Sequence, residues 1–226
     1  IGVAFVKGLQ GDNPDVLKTA ACAKHFVVHS GPEKLRHEFN AIASPRDLQE
    51  TYFPAFKALT DAGVEGFMCA YNKTNGEPCC GSSHLLTEIL RDQWNFDGYI
   101  TSDCGAIRDF YNGHDYSDSP AAAAALAVRS GVNLNCGSVL DPYLLEAVEQ
   151  GLITEEEIDA SLKQLLKTRF RLGLFDPEDM DPYRDYGEEL VNAEAHREIA
   201  RQTAEGAMVL LKNDDILPIK KDISSI

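Results

Sequence analysis

An alternation constrains this chain's fold more than any other feature. Four short apolar runs, "ACAKHFVV" (21–28), "VEGFMCAYN" (64–72), "GYITSD" (98–103) and "VNLNC" (132–136), are each followed by a segment with helical spacing. Apolar runs of strand length separated by amphipathic helices are the pattern of βα units around a parallel sheet. The spacing predicts helices over 44–63, 84–94, 119–131 and 141–151. In the first, Ser44 is the cap, Pro45 opens the first turn and Asp47 completes a capping box. Leu48, Tyr52, Phe56 and Leu59 then repeat at helical intervals, and Pro54 is expected to bend the run. The clearest helix lies over 154–173. Thr154 and Glu157 cap it, Ile158, Leu162, Leu165 and Phe170 form its expected buried stripe, and Gly173 ends it.

Residues 1–173 therefore read as one α/β domain. Residues 174–191 are Pro/Asp-rich at their start and read as a linker. A helix, an apolar strand and an Asn-Asp-Asp turn over 192–226 look like the beginning of a second domain. Four βα units cannot close an eight-stranded barrel, and the chain starts in a helical pattern. If the sheet belongs to a barrel, its first strands are missing. The opening "IGVAFVKGLQ" has no methionine, so the chain reads as a mature product or an internal fragment.

The 226 residues carry 21 lysines and arginines against 36 acids, a net charge of −15. That balance argues against nucleic acid as a partner, because neutralising phosphates takes a basic patch. No apolar run approaches the roughly 18 residues that a membrane helix needs, so no membrane partner is expected. The cysteines at 22, 69, 79, 80, 104 and 136 form no CxxC pair. Buried thiols or an occasional disulfide are expected, and no metal site.

Polar residues gather where the runs end. Lys24 and His25 lie in the first, Met68, Tyr71 and Asn72 close the second, and Asp103 ends the third immediately before Cys104-Gly105. In a parallel barrel the C-terminal strand ends converge on one face, where sites form. A carboxylate, a lysine, a histidine and a tyrosine meeting there suit a polyhydroxylated ligand, and a carboxylate beside an anomeric carbon can attack it. Each residue also has a plainer reading. Asp103 can be a helix cap or turn former. Lys24 and His25 can be one core-facing and one solvated residue, and Met68 and Tyr71 can be core. Glu33, Arg36, Glu38, His29 and His37 can be a solvated loop.

Taken together, "CAKHFVVHSGPEKLRHEFNA", "LQETYFPAFKAL", "GFMCAYNKTNGEPCCGSSHLLTEILRDQWNFDGYITSDCGAI" and "GVNLNCG" resemble glycoside hydrolase family 3, most closely its β-xylosidase-like and β-glucosidase-like branch. "VLLKNDDILPI" is similar to the family's entry into its second domain. The resemblance implies the C-terminal part of a (β/α)8 TIM-type barrel, followed by the beginning of an α/β sandwich domain. It implies Asp103 as catalytic nucleophile, with Lys24 and His25 holding the glycone hydroxyls and Lys24 favouring the ionised carboxylate. Met68 and Tyr71 would line the sugar subsite, and Arg36 and Glu33 match a loop of branch-specific substrate contacts. The implied activity is retaining hydrolysis of β-xylosides or β-glucosides, without metal or organic cofactor.

The acid/base residue, and an arginine and an aspartate that bind the glycone, would lie outside this chain. A secreted or periplasmic setting is implied, and the oligomeric state is not legible. "HSGPE" and "SDCGAI" lean toward the xylosidase-like branch. Two other readings stay open: a non-catalytic carbohydrate-binding relative, and an aldolase-like barrel using Lys24 as a Schiff base.

Overall fold

The computed structural model describes residues 1–219, so the last seven residues of the expected second domain lie outside it. The chain divides into two compact units, Ile1–Asp181 and Pro182–Ile226.

The first unit opens with helix α1 (Gly2–Gln10) and strand β1 (Cys22–Phe26). After the two-residue strand β2 (Asn40–Ala41) comes the expected helix over 44–63. The Ser44/Asp47 capping box is present, α2 (Pro45–Asp47) passes through a π-wound turn over Leu48–Tyr52, and α3 (Phe53–Asp61) completes it. The wide turn stands just before Pro54, whose missing N–H makes the ordinary i→i−4 ladder impossible there. Strand β3 (Gly66–Cys69) follows, then β4 (Lys73–Thr74) and β5 (Glu77–Pro78) as a hairpin. Its two turn residues, Asn75 and Gly76, both have positive φ, the geometry that asparagine and glycine favour. A π-wound helix over His84–Gln93 leads to β6 (Tyr99–Ser102), and four helices close the unit: α4 (Ala106–Asn112), α5 (Pro120–Ser130), α6 (Leu140–Glu149) and α7 (Glu155–Arg171).

Strands β1, β3 and β6 form one parallel sheet in that order. The run at 132–136 joins it by a single parallel bridge between Thr101 and Leu134 rather than as a full strand. The Asn135 side chain accepts the backbone N–H groups of Val139 and Leu140, which turns the chain toward α6 before the ladder can lengthen. An aromatic cluster covers the sheet's helix side. Phe26, Phe53, Phe56, Phe67, Trp94 and Phe96 pack with ring centroids 4.8–5.9 Å apart, and Phe26 and Phe67 are wholly buried. Each such ring is worth about 1.5–3 kcal/mol of transfer free energy. The alanines of α5 are mostly buried, and their small side chains let neighbouring helices approach closely.

The expected buried stripe of α7 is a correction. Leu162 is 46% and Phe170 63% exposed, and only Thr168 is buried in that helix. Of the stripe, Ile158 packs against the cluster of Ala121, Val128, Ala147 and Ile153, and the face that meets the sheet is polar. Ser161 donates to the Val132 carbonyl oxygen, Gln164 to that of Gly98, Thr168 to Glu65, and Arg171 pairs with Glu65 at 2.7 Å. Positions 161, 164, 168 and 171 share one face at helical spacing.

In the second unit α8 (Glu194–Ala207) forms where a helix is expected, with no buried residue. The apolar run that follows, Met208–Leu211, is exposed and forms no strand. A strand needs a paired neighbour, and the described residues offer none there.

Candidate active site

The C-terminal ends of β1, β3 and β6 place the polar residues together. Side chains alternate along a strand, so Phe67 and Ile100 face the helices while Met68 and Thr101, paired in register, face the other way, with Asp103 two residues beyond Thr101. In β1 the register slips between Ala23 and Phe26, which stand opposite Phe67 and Cys69. The extra residue turns the chain, and neither Lys24 nor His25 enters the core.

Asp103 is 7% exposed. Its Oδ1 accepts the N–H of Cys104 at 2.8 Å. Its Oδ2 lies 3.2 Å from His25 Nε2, within ion-pair reach but off the line of a hydrogen bond, and is otherwise unpartnered although buried. The helix-cap reading does not hold: the N-cap of α4 is Gly105, which has positive φ. A disulfide, Cys104–Cys136, ties the turn after Asp103 to the end of the Leu134 segment, and a second joins Cys69 to Cys80. Cys22 and Cys79 are free, so the six cysteines divide between the two alternatives expected, disulfides and thiols.

Burial pushes the His25 imidazole below its ordinary pKa; the Asp103 charge opposes this, and Lys24 and His29 add to it. The basic group against Asp103 is therefore His25. Lys24 is exposed and makes no ion pair with Asp103, which corrects the expectation that the lysine stands beside it. Met68 is half-buried in β3. The Tyr71 hydroxyl donates to the Cys104 carbonyl oxygen at 3.0 Å. Burial, and after it the Asp103 charge, raises the Tyr71 pKa.

The loop after β1 is exposed at Glu33, Arg36 and Glu38, as its composition suggests, but it is tied to the sheet. The β2–β4 pairing and the hydrogen bond from Lys73 N–H to the Phe39 carbonyl oxygen pin its far end beside Tyr71. The Arg36 guanidinium lies 5.3 Å over the Tyr71 ring and pairs with Glu33 at 2.6 Å. Glu33 is thus engaged by Arg36 on the exposed rim. His37 meets the Tyr71 ring edge-on at 4.6 Å and its Nδ1 lies 2.7 Å from Asp109 Oδ2. His29 sits 4.9 Å from the His25 ring and hydrogen-bonds Asn72. His29 and His37, expected in a solvated loop, are thus engaged, and Asp109 carries no signal in the sequence. His37 and Asp109 stand 72 positions apart in sequence, and no spacing pairs them. Among the described residues no cluster of three His, Cys, Asp or Glu could hold a metal ion, and no helix is long and apolar enough to cross a membrane.

A buried carboxylate with a free oxygen, flanked by imidazoles and a tyrosine, suits a neutral hydroxylated ligand. A probable exo-1,4-β-xylosidase of Neosartorya fischeri is 44% identical over 224 residues, covering 96% of this chain and 29% of that protein. A xylan 1,4-β-xylosidase of Xylanibacter ruminicola is 42% identical, covering all of this chain and 27% of that protein. The chain thus spans under a third of these relatives. Among solved structures, a GH3 exo-β-xylosidase in complex with a xylobiose aziridine activity-based probe superposes with a TM-score of 0.92 at 35% identity, over 99% of this chain and 30% of the other. A β-glucosidase from Listeria innocua in complex with isofagomine gives 0.84 at 30% identity, over 96% and 31%. Residues 1–168 match the glycosyl hydrolase family 3 N-terminal domain, and with these relatives that match shows that the chain belongs to glycosyl hydrolase family 3.

Proposed function

We propose that this chain carries the nucleophile half of the active site of a retaining β-glycosidase. It would act on terminal β-D-xylosyl residues of oligosaccharides in preference to β-D-glucosyl ones. The observation that carries the reading is Asp103 Oδ2: buried, without a hydrogen bond, and set at a strand tip beside His25. A carboxylate oxygen so disposed is free to attack an anomeric carbon through an oxocarbenium-like transition state and form a glycosyl-enzyme. With His25 held below its ordinary pKa, no fixed cation cancels the Asp103 charge at neutral pH. His25 and Lys24 then take the glycone hydroxyls, Met68 and Tyr71 line the sugar, and Arg36 with Glu33 forms the rim. A second carboxylic acid about 5–5.5 Å from Asp103 protonates the leaving oxygen and then activates water. That acid belongs to a part of the protein outside this chain, as do the remaining strands of a (β/α)8 barrel. The second unit begins an α/β sandwich. The preference for xylosides is supported by the xylosidase relatives at 42–44% identity against the glucosidase structure at 30%. Two disulfides favour an oxidising, secreted or periplasmic setting.

In the complete protein, Asp103→Ala should lower hydrolysis of an aryl β-xyloside at least about 10³-fold. Added azide should restore turnover and yield the α-xylosyl azide. Undiminished hydrolysis by this variant would sink the assignment.

A further inference from the structure

The Arg36 side chain has a support that the proposed chemistry does not use. Arginine is always protonated, and its Nε–H can only donate. Arg36 Nε lies 3.2 Å from His37 Nε2, so that ring nitrogen accepts and carries no proton. The proton of the neutral ring is then on Nδ1, which donates to Asp109 Oδ2 at 2.7 Å. The result is a directed chain: carboxylate, imidazole, guanidinium, with the guanidinium over the Tyr71 ring. Its far end is fixed. Asp109 is 2% exposed on α4, the helix that starts three residues after Asp103. Burial pushes the Asp109 carboxyl up, and the His37 hydrogen bond is the chief influence holding it down. The backbone of His37 is located as well: a Cβ on Gly113, at the end of the same helix, would come within 2.6 Å of the His37 carbonyl oxygen.

We infer that His37, oriented by Asp109, is a positioning residue that holds Arg36 and Tyr71 as one wall of the sugar site. The inference rests on the glycosidase reading of Asp103. It assigns His37 a role through Arg36 and not on substrate directly. One helix then carries both ends of the arrangement: its start follows the nucleophile, and its Asp109 orients the opposite wall.

Variants of the complete protein assayed on an aryl β-xyloside separate this role from a structural one. A glutamine at 37 puts an amide oxygen where Nε2 accepts from Arg36, whereas an asparagine puts an amide N–H where Nδ1 reaches Asp109. His37→Phe keeps the ring against Tyr71 and loses both polar links. We expect His37→Phe and His37→Asn to lose about 10- to 100-fold in kcat/KM, the worth of one hydrogen bond to a charged group. His37→Gln should stay within about threefold of wild type, and Arg36→Ala combined with His37→Asn should be no worse than Arg36→Ala alone. Rescue by asparagine and not glutamine, or fully additive losses, would show that His37 only satisfies Asp109, and would overturn the inference. Should His37→Phe fail to fold, the asparagine and glutamine pair still decides. A 15N-histidine spectrum of the unaltered protein showing the Nε2–H form of His37 would also overturn it. Asp103→Ala is assayed alongside. If it stays active, the glycosidase reading itself has failed; if it is dead while His37→Asn is unimpaired, only the role of His37 has.

Discussion

At the scale of single residues, burial without a partner sets the chemistry. Asp103 has one buried oxygen left for a ligand, and His114 has both ring nitrogens buried with no partner. Burial, with the charge of Lys73, lowers the His114 pKa from 6.5 to about 4. In the folded protein the ring stays neutral well below the pH at which the unfolded chain binds a proton. Stability is therefore full above about pH 6.5 and is lost as pH falls toward 4, by about 3 kcal/mol for this residue. Thermal melting across that range should show a shallower loss for His114→Phe than for wild type; parallel curves would contradict it. The strand-end placement of Asp103, His25 and Tyr71 was legible because strand periodicity and a turn glycine mark those ends. The partners of His37 and the burial of His114 were not, because only the folded loop and helix α4 bring those groups into place.

At the scale of elements, caps and turns were readable and docking faces were not. Both capping boxes, at Ser44/Asp47 and Thr154/Glu157, form as their sequences suggest, because a cap is a contact between residues three apart. Helix α7 shows the opposite case. Its apolar stripe suggested the face that docks, yet it meets the sheet through Ser161, Gln164, Thr168 and Arg171. Their partners Glu65, Gly98 and Val132 are far away in sequence. Buried Glu65 needs those donors, and satisfying it outweighs burying Leu162. In this chain Arg171→Ala should cost about 2 kcal/mol and lower Tm by about 4–8 °C, because it strips the ion-pair partner from a buried carboxylate. Leu162→Ser should change stability by less than about 0.5 kcal/mol. Equal losses for the two, measured by denaturant titration, would contradict a polar docking face.

At the scale of the whole molecule, the chain matches under a third of its relatives' length, and its three-stranded parallel sheet with the added Leu134 bridge is an open arrangement. The α/β content was legible because βα alternation survives in a segment of this size, and family membership because the KHF, MxxYN and SD motifs stand together in its sequence. The strand expected after α8 was not legible in isolation, since pairing is a property of neighbours. A substrate with a reactive leaving group needs no help from an acid, so it tests Asp103 as a nucleophile by itself. The complete protein would be incubated with an activated 2-deoxy-2-fluoro-β-xyloside and its peptides analysed by mass spectrometry. One fluoroxylosyl adduct is expected, on the peptide that contains Asp103. An adduct on another carboxylate, or turnover of the parent xyloside with no adduct at Asp103, would contradict it.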